Sequence, residues 1–177
     1  LPANDSKGSK SLKKTGSPEP GASGVVSTDA IRFSGGEGLT GSSPFSSKTK
    51  FTVNAWVKPS SVPSSSGHLG SGTGDPYTVF AVKDKLTLQI ADGGRAYGSA
   101  KVKGNTYSAK TDTGTVNADE WSMVTLTYNG DRLRVSTGRG LLSQNIGTAS
   151  FTNIPDLTGK QTFAGYRSDI DANSFKG

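Results

Sequence analysis

Apolar and polar residues alternate over short stretches of this chain, and clusters of Gly, Ser, Asn, Asp and Pro separate the stretches. In Phe51–Val57, Phe51, Val53, Ala55 and Val57 fall on one parity and Thr52, Asn54 and Trp56 on the other. A two-residue period turns one face toward a core, so the segment reads as a β-strand. Lys58-Pro59 stops it, because proline has no N–H to pair. The same reading predicts strands at residues 30–33, Tyr77–Val82, Leu86–Ala91, 95–100, 107–110, 121–128, 133–136 and 162–166. Lys83-Asp84-Lys85 and Asn129-Gly130-Asp131 are hairpin turns, and the hairpin built on Asn-Gly is the strongest in the chain. Residues 39–45 read as a short edge segment and a bend, and the run SQNIGTASF (143–151) as a loop. Residues 60–76 form a long polar loop. No helical period is present. Ten or more short strands with tight turns predict an all-β fold: a two-sheet antiparallel sandwich or jelly roll.

Composition refines this picture. Apolar residues make up only 31% of the 177, and there are 24 glycines, which suits short strands and turns or a folded domain with a polar tail. Residues 1–26 are rich in Ser, Gly, Pro and Lys without a period, and are expected to be a flexible basic arm or linker ahead of a sandwich at 27–177. The first fourteen residues carry Lys7, Lys10, Lys13 and Lys14 against one acid, Asp5, and so hold much of the net charge of +6. The body lacks a dense Lys/Arg run with interleaved aromatics, so nucleic acid is not an expected partner. No apolar run approaches the roughly 18 residues of a membrane span.

Catalytic chemistry is poorly supplied. There is no cysteine and one histidine, His68, so neither a zinc site nor a Ser/His/Asp set is expected. Polysaccharide hydrolysis needs two carboxylates about the scissile bond. Asp119 and Glu120 are adjacent and on a strand would point to opposite faces. An enzyme acting on polysaccharide is therefore the weakest of the functional readings.

Four segments, taken in order, resemble one family: AIRFSGGEGLTG, FTVNAWVKPSS, DEWSMVTLTYNGDRLRV and QTFAGYRSDIDANSFKG. Over residues 28–177 they are similar to laminin-G-like domains of the concanavalin A-like lectin/glucanase superfamily, near its pentraxin-like group. The resemblance implies two antiparallel sheets face to face, with the Phe51–Val57 strand central and Trp56 and Trp121 packed near sheet ends. It implies a glycan or cell-surface ligand on the curved sheet, where Arg95, Tyr97 and Tyr107 are the candidate contacts. It also implies calcium held by Glu37, Asp169 and Asp171; the last two are spaced to share a face, and calcium takes six to eight oxygens. Two departures stand out. The loop VSTGRGLL (135–142) is rebuilt. Relatives also run on past the equivalent of Phe-Lys-Gly into one more strand beside the first, so here the final strand is expected from a longer chain, from a cleaved peptide that stays bound, or from another copy of the protein. The expected function is a non-enzymatic adhesion or recognition module outside a cell or on a virion. The alternative is a structural subunit of a surface filament, sheath or virion assembled by strand or arm exchange.

Overall fold

A computed structural model describes residues 3–4, 11–25, 30–45, 50–64, 76–138, 144–153, 156–166 and 174–177. Fourteen strands are formed among them: β1 (Ala3–Asn4), β2 (Ser11–Thr15), β3 (Glu19–Ala22), β4 (Ala30–Arg32), β5 (Gly38–Ser42), β6 (Phe51–Val57), β7 (Tyr77–Val82), β8 (Leu86–Ala91), β9 (Arg95–Val102), β10 (Asn105–Lys110), β11 (Ser122–Tyr128), β12 (Arg132–Gly138), β13 (Gln144–Ser150) and β14 (Gln161–Ala164). The one helical element among the described residues is a 3₁₀ turn at Asp92–Gly94. None of their helices is long and apolar enough to cross a membrane.

The strands form an eight-stranded sheet in the order β1-β2-β5-β14-β7-β8-β9-β10, a four-stranded sheet in the order β13-β12-β11-β6, and a two-stranded sheet of β3 and β4. All pairings are antiparallel. The large and small sheets pack face to face around Leu86, Leu88 and Ile90 of β8, Val124 and Leu126 of β11, and Leu133 and Val135 of β12, each no more than 1% exposed. Burying each such side chain is worth about 1.5–3 kcal/mol, which is what holds the layers together. Gly98 of β9 sits where the layers touch: a Cβ there would lie 2.4 Å from Leu126 Cδ1. Even-numbered positions of β9 therefore face the small sheet, and odd-numbered ones face outward.

Three expectations are corrected. Part of the 1–26 segment is not a loose arm. β2 pairs with β5, with Leu12 against Gly41, and with β1 on its other side, and β3 pairs with β4; one apolar residue among lysines suffices to seat the strand. Residues 144–150 are strand rather than loop, in continuous register with β12 from Gly138↔Gln144 to Arg132↔Ser150. β6 is not central. It pairs with β11 from Val57↔Ser122 to Phe51↔Tyr128, and its other side carries no strand among the described residues.

The outer face of the large sheet also departs from simple alternation. Every residue of β8 is buried, on both faces. Outward-facing Thr87 bonds its neighbour Ser99 at 2.7 Å, and Phe163 of β14 is 1% exposed. Gln89 lies opposite Thr78 on one side and Tyr97 on the other. Among the described residues, neither amide atom of Gln89, nor Thr78 Oγ1, has a hydrogen-bond partner.

Candidate functional site

The residues expected to contact a ligand divide between the two faces of the large sheet. Arg95 and Tyr97 lie at i and i+2 on its outer face. Tyr97 is 7% exposed. Arg95 is held by Asp92, through Nε to the backbone oxygen at 3.3 Å and to Oδ1 at 3.4 Å. Tyr107 is on β10 opposite Ala100, a core position, and so points toward the small sheet. It reaches the rim instead of the interior because β10 is the edge strand. The three side chains do not converge.

Tyr107 instead ends an aromatic ladder. Phe51 and Tyr128 stack at 6.1 Å, Tyr128 and Phe151 at 5.0 Å, and Phe151 and Tyr107 at 4.7 Å, with interplanar angles of 28°, 18° and 26°. The first three rings come from β6, β11 and the residue after β13. The half-buried Tyr107 ring forms one wall of an open groove of about 520 Å³, shared with Phe151, Lys103, Asn105, Asp131, Thr152 and Asn153. The polar members are all solvent-exposed.

Local chemistry closes the turns on both sides of this groove. Lys103-Gly104 is the two-residue turn of the β9–β10 hairpin, with φ of +49° and +84°, the mirror-image turn that matches the twist of paired strands. Across the groove, Asn129 Oδ1 accepts from Asp131 N at 3.3 Å and Arg132 N at 2.9 Å, closing the β11–β12 turn. Phe151 N donates to Asp131 O at 2.9 Å. The Tyr128 hydroxyl donates to Gly130 O at 2.6 Å, with Phe151 O at 3.1 Å. Burial, and after it the Asp131 charge, raise the pKa of that phenol, so it stays a neutral donor. A stacked ring beside carboxamide, carboxylate and hydroxyl groups can lie against the C–H face of a sugar and exchange hydrogen bonds with its hydroxyls. Of these residues the sequence reading singled out only Tyr107. Phe151 fell in the stretch taken as loop, and Asp131 in the hairpin turn.

The calcium candidates are only partly placed. Glu37 Oε2 accepts from Ser34 N at 2.7 Å, and Ser174 Oγ accepts from Gly36 N at 2.9 Å, so this loop does meet the C-terminal segment. Asp169 and Asp171 lie outside the described residues, as does His68. Among the described residues no three acids or histidines gather as a metal site. Trp56 is 43% exposed on the outer face of the small sheet, opposite Met123, and Trp121 is half-buried.

The Laminin_G_3 profile of the concanavalin A-like lectin/glucanase superfamily matches residues 29–176. The chain belongs to this family. No curated protein sequence matches it. Among solved structures, domain 4 of AbnA, an extracellular GH43 arabinanase from Geobacillus stearothermophilus in complex with arabinotriose, aligns over 98% of this chain and 82% of its own, at 19% identity and a TM-score of 0.60. Mouse laminin α1 domains LG4-5 align over 82% of this laminin-G-like chain and 38% of theirs, at 13% identity and a TM-score of 0.55. The binding domain of botulinum neurotoxin DC, in complex with SialylT, aligns over 93% and 45%, at 13% identity and a TM-score of 0.54. At these identities the likeness is one of fold.

Proposed function

We propose that this protein is a carbohydrate-binding module that works outside a cell or on a virion, and that the glycan lies in the groove along Tyr107 and Phe151. The observation that carries the reading is the 4.7 Å Tyr107–Phe151 stack, in which buried Phe151 backs the half-buried Tyr107 ring at a rim lined by Asn105, Asn153 and Asp131. The sugar complexes of the arabinanase domain and the toxin domain lend it support, since both share this fold. Asp131 is the one carboxylate among the groove's residues, whereas glycoside hydrolysis asks for a pair; the module binds without cleaving. Arg95 and Tyr97 serve the sheet that carries the groove.

The test is retention on immobilised arabinotriose and a panel of neutral and sialylated oligosaccharides. The parent chain is expected to bind at least one of them. Tyr107→Ala is expected to weaken that binding at least about tenfold, as loss of a stacking residue does, and Asn153→Ala to weaken it less. Binding by none, or equal binding by parent and Tyr107→Ala, overturns the reading. Calcium belongs to the same proposal, through Glu37 with Asp169 and Asp171. Millimolar calcium should then raise the Tm of the parent and not of Glu37→Gln. The structural-subunit alternative needs a strand or arm exchanged with a second chain, and a monomeric mass at micromolar concentration decides against it.

A further inference from the structure

Four neighbouring strands of the large sheet meet one of its ends with a lysine. In sheet order these are Lys160, just before β14; Lys83, just after β7; Lys85, just before β8; and Lys101, near the end of β9. The strands alternate in direction, so starts and ends fall together. Backbone bonds keep the four in line: Lys83 N donates to Gln161 O and Lys101 N to Lys85 O, each at 2.8 Å. Lys103 follows in the β9–β10 turn and lines the Tyr107 groove. These lysines come from separate parts of the sequence, and only strand pairing gathers them.

Their charge is poorly balanced within the chain. Lys85 and Lys101 are direct cross-strand partners, continuing the register Leu86↔Ala100. They share the parity of Thr87 and Ser99, whose hydroxyls meet on the outer face at 2.7 Å. Like charges opposite each other on one face destabilise a sheet. Thr106, the partner of Lys101 on β10, is neutral. None of the lysines in this row forms an ion pair with a described residue. Asp84 sits in the β7–β8 turn, and Asp131 shares the groove with Lys103. Asp156 is already engaged: its Oδ1 accepts from Thr158 N at 2.9 Å. That bond, a second from the Thr158 side chain, and after them the Lys160 and Lys85 charges lower its pKa.

We propose that this row of lysines binds the anionic groups of an acidic polysaccharide, which runs from the Tyr107 groove past Lys103 and along Lys101 and Lys85. The path of the sugar chain rests on the groove reading above; the lysines add its charge. Neighbouring strands lie about 4.8 Å apart, so the row presents cations at intervals comparable with one sugar unit. An anion seated between Lys85 and Lys101 replaces their repulsion with two charge-assisted contacts. Lysine carries a point charge on a flexible stem, which suits carboxylates or sulfates met at varied angles. Nucleic acid is the less suited polyanion. Its single strands bind on exposed aromatic platforms, whereas the outer-face rings Tyr97 and Phe163 are buried.

The experiment measures binding of two matched pairs by calorimetry at low and high salt: oligogalacturonate against its methyl ester, and sulfated dextran against dextran. The parent chain is expected to bind at least one acidic member at least about tenfold more tightly than its neutral partner, with affinity falling as salt rises. Which pair responds tells carboxylate from sulfate. The double variant Lys85→Gln/Lys101→Gln should lose about tenfold of the acidic binding and most of the salt dependence, while its Tm stays at or above the parent's because the cross-strand repulsion is gone. Equal binding of acidic and neutral members that Tyr107→Ala abolishes overturns the proposal and leaves the groove reading standing. Acidic binding that the lysine variant loses and Tyr107→Ala keeps overturns the groove reading and supports the lysine row. A lysine variant that binds the acidic sugars like the parent overturns the proposal, as does an oligonucleotide bound as tightly as they are. Binding of none of the four sugars overturns both.

Discussion

Replacing Tyr128 by Phe deletes one hydroxyl and leaves the ring ladder in place. Tyr128 is 1% exposed, and its hydroxyl donates to Gly130 O at 2.6 Å, with the Phe151 carbonyl at 3.1 Å. Leaving these acceptors without their donor costs about 1–2 kcal/mol, which for a chain of this size lowers Tm by about 2–8 °C. The pH dependence separates this mechanism from a mere packing change. Burial and Asp131 raise the phenol's pKa above its ordinary value, which is about 10. At neutral pH the phenol is protonated in both folded and unfolded chains and pH does not act through it. Between the ordinary value and the raised one, the unfolded chain gives up the proton while the folded chain keeps it. The folded state then binds more protons, and stability falls as pH rises. Phe has no such proton. The parent's advantage over Tyr128→Phe is therefore greatest at neutral pH and shrinks above about pH 10. Lysines and the other tyrosines are common to both chains, so their titration cancels to first order in the difference. Urea unfolding of both proteins at pH 7, 9 and 11, followed by tryptophan fluorescence, measures it. A gap that stays constant across this range would refute the reasoning.

Three further substitutions probe how the layers fit. Gly147→Ala places a Cβ 2.0 Å from Lys110 O, in the seam where β13 meets β10; backbone cannot yield as a side chain can, and a loss of about 3 kcal/mol in urea unfolding is expected. Gly98→Ala meets only the tip of Leu126, at 2.4 Å; it should cost about 1–3 kcal/mol, and combining it with Leu126→Val should cost less than the two single changes added. Gln89→Leu removes a fully buried amide whose two polar atoms lack partners among the described residues. An unpaired buried polar group costs about 1–3 kcal/mol, so Tm should rise in a thermal melt, and a fall would show that bound water satisfies the amide.

Strand after strand was legible before folding was considered, because a two-residue period is a property of neighbours in the chain. The Phe51–Val57 alternation matches β6 residue for residue, and β7 and β8 fall where their patterns place them. The Asn129-Gly130-Asp131 and Lys83-Asp84-Lys85 turns needed only local backbone preferences. Segments with weak patterns were misread: Ser11–Thr15 carries one apolar residue and Gln144–Ser150 a glycine at its centre. Each became a strand because a neighbour remote in sequence offered a ladder, β5 to the first and β12 to the second. The groove has the same origin. Tyr107 was visible as an aromatic on a strand, but Phe151, Asp131 and Asn153 reach it only because antiparallel pairing carries the β9–β10 turn, the β11–β12 turn and the end of β13 to the same rim. Parity could show that Arg95 and Tyr97 share a face. Which residue was open to a ligand depended on the assembled fold: Tyr97 is buried although it points away from the small sheet, while Tyr107, which points toward it, is left half in solvent at the edge. Periodicity along one strand says which residues go together; only the pairing of strands far apart in the chain decides what they meet.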